Sequence, residues 1–327
     1  MINLKTIITD AELLAGRTIF RDGFSFTSLA NVGNQANVYD AIIIRNPSGA
    51  QCFSPKLSCS SKTLQEHIDF VNEHHLEKAV IIAEDISFLT ECPSLQFLQI
   101  IPADNVKNFD YSPLYKLKNL AGLNCATEYG LHLSETTQVD YSHFSNVVDL
   151  DIAGHGHICT EQLETIRRLN VSRHPAKRIS QIVASPVLKS LSVTQCSIRS
   201  LEGISKVKAL SELSLWYNRS LSDVSDLFHH DKSLRMLSIG SCPKIADFSF
   251  LEQFDNLEYL ELSGSNSLPN LKFLSAMKAL KCFTFDMNVL NGDLTPCLDI
   301  PCVHLLRNRK HYNLSNADLP KAVHDSI

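Results

Sequence analysis

The chain of 327 residues contains one tryptophan, four methionines and no basic excess: 30 Lys and Arg against 35 Asp and Glu leave a net charge of -5. Proteins that bind nucleic acid through its phosphates usually carry the opposite balance, because their cations displace counterions, so nucleic acid is not an expected partner. Long apolar runs are missing as well. No stretch approaches about 18 uncharged apolar residues, and the opening MINLKTIITDAELLAG lacks a basic segment followed by an unbroken apolar one, so a cytoplasmic chain without a membrane span is expected. The ten cysteines include no C-x-x-C pair and are scattered, which favours reduced, buried thiols over a disulfide framework. Glycine-rich phosphate loops, nucleophile elbows and zinc-protease motifs are also absent, so the expectation is no enzyme and no cofactor.

What the chain does have is a repeat. An LxxLxL pattern starts at Leu188 (LKSLSV), Leu210 (LSELSL), Leu234 (LRMLSI), Leu257 (LEYLEL) and Leu280 (LKCFTF), at spacings of 22, 24, 23 and 23 residues. Eight residues after each start stands Cys196, Asn218, Cys242, Ser265 or Asn288, the offset of the Asn/Cys position in the leucine-rich-repeat signature. A side chain that bonds inward there satisfies backbone groups where a strand leaves its sheet, so stacked copies form a ladder and Asn218 and Asn288 read as structural. Beyond that position apolar residues recur in steps of three: Ile198, Leu201, Ile204, Val207; Ile245, Phe248, Leu251, Phe254; Leu268, Leu271, Leu274, Met277. Steps of three suit short 3₁₀ turns better than long α-helices.

Weaker copies start at Leu76, Leu95, Leu120, Val147 and Ile166. About ten stacked units form one continuous core that no single unit forms alone. The predicted fold is α/β: a curved solenoid with a parallel concave sheet and short 3₁₀ or helical convex segments. Its expected divisions are an N-terminal α+β cap over 1–75, the solenoid over 76–302, and a C-terminal cap and tail over 303–327. GFSFTSL and YDAIIIR read as cap strands, and SSKTLQEHIDFVNEHH reads as a helix with Leu64, Ile68 and Val71 on one face, Thr63 or Ser61 as N-cap and Glu66 near its positive end. At the other end Val303, Leu305 and Leu306 suggest a last strand. Arg307, Arg309, Lys310 and His311 follow as a basic edge, open to solvent or to an acidic partner.

Residues 76 to about 312 resemble the repeats of roughly 22 residues in bacterial internalins and phosphatase regulatory subunits. The tail NGDLTPCLDIP with RNRKHYN also looks similar to the ends of bacterial cytosolic leucine-rich-repeat proteins, some of which are thought to neutralise toxins. The repeat motif is specific for fold and nearly silent on function.

Strand alternation locates the binding face. With the repeat leucines inside, offsets +2, +4, +6 and +7 face the hollow, which for the Leu210 repeat gives Glu212, Ser214, Trp216 and Tyr217. Neighbouring strands bring Met236, Tyr259, Glu261, Cys282, Asp286 and Met287 around the indole. Exposed aromatic clusters of this kind mark protein interfaces. Earlier repeats place Asp149, Asp151, Arg168, Asn170, Ser172 and Arg173 on the same face as a charged stretch with solvated carboxylates.

The expected function is therefore partner binding through the concave face, as an inhibitor or toxin-immunity protein, or alternatively as an adaptor or regulatory subunit of an intracellular enzyme. A second alternative is a metal-dependent enzyme using His155 and His157, with His174 in the next ladder position; no third ligand is fixed by the sequence, and the ladder accounts for His155 and His174.

Overall fold

The computed structural model describes residues 18–27, 40–47, 60–103, 106, 108–125, 139–153, 164–183 and 185–321. They form two compact units, one ending at Ile166 and the other beginning at Arg167.

The first unit opens with strands β1 (Ile19–Arg21), β2 (Phe24–Thr27) and β3 (Ala41–Asn46), paired antiparallel in that order. Helix α1 (Leu64–His74) begins as the sequence predicts: the Thr63 hydroxyl accepts from the Glu66 amide while the Glu66 carboxylate accepts from the Thr63 amide, closing a capping box. Its buried face is His67, Ile68, Phe70 and Val71, with Leu64 half-buried, and Phe70 stacks on Phe24 with ring centroids 4.1 Å apart. From β3 onward the sheet is parallel through β4 (Lys78–Ala83), β5 (Phe97–Pro102), β6 (Gly122–Asn124) and β7 (Asp149–Ala153). One-turn 3₁₀ segments at Ser87–Glu91, Ser112–Lys116 and Tyr141–His143 lie between these strands.

The second unit carries the regular repeats. Strands β8 (Arg168–Ser172), β9 (Ser190–Thr194), β10 (Glu212–Trp216), β11 (Met236–Gly240), β12 (Tyr259–Ser263), β14 (Cys282–Phe285) and β16 (Cys302–Leu305) pair in parallel in that order. The short β13 (Ser267–Leu268) and β15 (Asn288–Val289) pair separately. Each strand from β4 to β12, and β14, begins two residues after an expected repeat start, and all ten starting residues are buried. Ile300, also buried, stands in the same relation to β16 and marks a further copy.

The step-of-three residues Ile198, Leu201, Ile204 and Val207 are buried, as are those of the Ile245 and Leu268 series, and 3₁₀ turns run at Ile204–Lys206, Ser225–His230, Ser249–Gln253 and Lys272–Ala276. Aspartates start several of these turns. The Asp247 carboxylate accepts from both the amide and the hydroxyl of Ser249, at 2.8 and 2.7 Å, and Asp223 does the same for Ser225. Each unit by itself is a leucine-rich-repeat stack of the solenoid type.

The ladder is present where the repeats are most regular. Asn218 accepts from the Cys196 amide at 2.9 Å and donates to the Val193 carbonyl at 2.8 Å, while the Cys196 and Cys242 thiols donate to carbonyls of the preceding strand turn. Two expected members depart from it. Ser265 is exposed, and Asn266 one residue later donates to the Pro243 and Ile245 carbonyls instead; Asn288 is half-buried within β15. The departure at Ser265 follows Gly264, whose φ of +125° differs from the +53° to +56° of Arg173, Gln195, Tyr217 and Ser241 at the same offset, while Asn288 follows Met287, which has no positive φ.

The tail closes the second unit. Arg309 and His311, expected at a solvated basic edge, donate to the Asp286 and Val289 carbonyls, and the Tyr312 hydroxyl donates to Met287 O. Val303 N donates to the Pro320 carbonyl and Leu305 N to Asn316 Oδ1, so the outer edge of β16 is covered. Leu306, expected with the apolar strand residues, lies outside and is exposed, because β16 ends at Leu305. Among the described residues no helix is long and apolar enough to cross a membrane.

Candidate protein-interaction surface

Register across the parallel sheet turns strand positions into rows. One row runs Arg168, Ser190, Glu212, Met236, Tyr259, Cys282, Cys302; the next runs Asn170, Ser192, Ser214, Ser238, Glu261, Thr284, His304. A third contains Ser172, Thr194, Trp216, Gly240 and Ser263. The intervening Leu213, Leu215, Leu237, Ile239, Leu260 and Leu262 are buried, so these rows form the face turned away from the core.

On this face Tyr217 is 48% exposed, Met236 41% and Tyr259 45%. Trp216 is half-buried because its ring lies across Gly240 of the next strand, in the space a side chain there would fill. Its Nε1 donates to Ser238 Oγ at 3.0 Å, and that hydroxyl donates to Glu261 Oε2 at 2.9 Å. The polar edge of the indole is satisfied within the sheet while part of its apolar surface remains open. Tyr217 follows in a left-handed backbone conformation, φ +56°, shared by Arg173, Gln195 and Ser241 at the same repeat offset, and its ring centroid is 5.9 Å from that of Trp216.

The other expected face residues divide. Glu212 and Glu261 are half-buried on the face, Arg168 is half-buried at its first strand, and Arg173 is exposed with Nε donating to Gln195 Oε1 at 3.0 Å. Asp286 uses Oδ1 to accept from the Gly264 amide at 2.7 Å, so it holds a turn.

Two expectations are corrected, and the histidine reading stands where it can be seen. Met287 is fully buried: the left-handed turn that exposes Tyr217 is missing at this offset, and the chain carries Met287 inward to β15. Asp149 and Asp151 belong to the first unit and are buried, not solvated; Asn124 Nδ2 donates to Asp151 Oδ2 at 2.9 Å. Of the histidines weighed as metal ligands, His155 and His157 lie outside the described residues, and His174 is a buried ladder residue whose Nδ1 accepts from the Ala176 amide.

No protein-family model and no curated protein matches the chain. Among solved structures it is similar to the functional domain of InlJ from Listeria monocytogenes, which includes a cysteine ladder, with 17% identity, a TM-score of 0.48, and coverage of 68% of this chain and 46% of that one. The chain thus spans less than half the length of that structure. It is also similar to the internalin InlF from Listeria monocytogenes, with 16% identity, a TM-score of 0.49, and coverage of 83% of this chain and 81% of that one. A third is the TLR13–ssRNA13 complex, with 17% identity, a TM-score of 0.37, and coverage of 77% and 36%.

Two contributors to the face were not singled out from the repeat pattern. Gly240 occupies an offset held elsewhere by Trp216, Thr194 or Ser263, and only the pairing of β10 with β11 reveals that its missing side chain seats the indole. Ser238, buried beside it, links Trp216 to Glu261.

Proposed function

We propose that the chain is a non-enzymatic binding module whose partner, another protein, docks on the exposed face of the second unit around Trp216, Tyr217, Met236 and Tyr259. The observation that carries this reading is that these side chains share one face: Tyr217, Met236 and Tyr259 are more than 40% exposed, Met236 and Tyr259 are register partners, and Tyr217 lies beside an indole already fixed by Gly240 and Ser238. Large apolar groups left on a solvent-facing sheet favour association, and an ordered aromatic loses little freedom on binding. Glu212 and Glu261 beside them, with Arg168 and Arg173 on the first strand's side, would set orientation and on-rate more than affinity.

The finer form is an inhibitor or toxin-immunity partner acting in a bacterial cytoplasm, supported by the resemblance of the tail to proteins thought to neutralise toxins. Co-expression with the product of an adjacent toxin-like reading frame should then restore growth, and Trp216→Glu should abolish the rescue by weakening binding at least about 2 kcal/mol, the hot-spot range. Absence of such a neighbour, or rescue that survives Trp216→Glu, argues against it. Recovery of an endogenous enzyme as the stoichiometric partner would favour an adaptor or regulatory subunit instead.

A further inference from the structure

Most of the described cysteines have a place in the repeat. Cys196 and Cys242 are ladder residues, and Cys92, Cys125 and Cys297 are packed in the interior. Cys282 and Cys302 have no such role. They stand at the second position of their repeats, where the other regular copies carry Ser190, Glu212, Met236 and Tyr259, so nothing in the solenoid pattern calls for a thiol there.

The two cysteines are register partners on adjacent parallel strands, and His304, two residues after Cys302, projects on the same side of β16 because Val303 between them is buried. Cys302 Sγ is 3.2 Å from His304 Nε2, and Cys282 Sγ, Cys302 Sγ and a ring nitrogen of His304 all lie within 4.8 Å of one another. Tetrahedral zinc, with bonds of about 2.3 Å to sulfur and about 2.0 Å to nitrogen, needs its ligand atoms about 3.5 to 3.8 Å apart, so small rotamer adjustments suffice. The backbone is already held: β14 pairs with β16, and tail residues bond the outer edge of β16. Cys282 is half-buried, Cys302 buried and His304 exposed, which shields the thiols while leaving one side of the group open to solvent.

We propose that Cys282, Cys302 and His304 bind a zinc ion, with a fourth coordination position open to solvent. Thiolate and imidazole donors select zinc over magnesium or calcium, which take oxygen ligands. The site adjoins Tyr259 in the same row, yet it stands on its own donor set and does not depend on the docking reading.

The test uses the reduced full-length chain, loaded with zinc sulfate and freed of excess metal. The expected result is one zinc per chain by plasma mass spectrometry, and, with cobalt(II) in its place, sulfur-to-cobalt charge-transfer absorption. His304→Ala and Cys282→Ser should each lower zinc affinity by at least about 100-fold, the upper range for losing even an outer-shell partner. Circular dichroism should stay unchanged, since His304 is exposed and its removal leaves the core intact. A reduced wild-type chain that retains no zinc, or zinc held equally by both variants, overturns the assignment.

Discussion

The Trp216 ring lies so close over Gly240 that a Cβ built on the glycine would fall 2.2 Å from Trp216 Cε3. Gly240→Ala should therefore displace the indole and break its bond to Ser238, costing about 1 to 3 kcal/mol as an overpacked site does. Trp216 is the single tryptophan, so its emission reports the change directly and should shift to the red as the ring enters water. Unchanged emission together with an unchanged urea midpoint would contradict the stacked arrangement.

The ladder makes a second prediction. Asn218→Ala leaves the Cys196 amide and the Val193 carbonyl without their partner, at about 1 to 3 kcal/mol for each buried group. Asn218→Cys should cost less, because Cys196 and Cys242 already bond carbonyls from equivalent positions. Urea unfolding distinguishes them. Equal losses for the two substitutions would mean that the ladder thiols only fill space.

Acid should weaken the fold in two stages. Burial holds the pKa of His230 and of His67 below the usual histidine value, and His230 Nε2 donates to the Ile204 carbonyl at 2.9 Å. A group with a depressed folded pKa takes up protons more readily when unfolded, so its contribution is complete above about 6.5 and declines as pH falls below it. Asp223 and Asp247, held below the usual carboxylate range first by the Ser225 and Ser249 hydroxyls, add a second decline below about pH 4. The urea midpoint followed from neutral to acid pH should show both steps, and His230→Gln should flatten the first. A midpoint constant between about pH 7 and pH 5 would be inconsistent with buried neutral histidines.

Much of this architecture can be read from the sequence because it is periodic. The repeat leucines bury one side of each repeat strand, so Leu210 and its equivalents fix where β4 to β12 and β14 begin, and Tyr217, Met236 and Tyr259 emerge on the opposite side. Properties that depend on a particular neighbour are less legible. The burial of Asp149 and Asp151 and the inward turn of Met287 arise from local packing and backbone route, which alternation alone does not encode. The Cys282–Cys302–His304 group becomes visible only once β14 and β16 are set in register.

The most direct test of the inside and outside assignment compares Leu213→Ala with Tyr259→Ala in urea unfolding and in binding to the captured partner. Leu213 is buried, and its truncation should cost about 2 to 5 kcal/mol through a core cavity while leaving partner affinity nearly intact. Tyr259 is exposed, and its truncation should change stability by no more than about 0.5 kcal/mol while weakening the complex. The reverse pattern, with Tyr259 governing stability and Leu213 governing binding, would contradict the account.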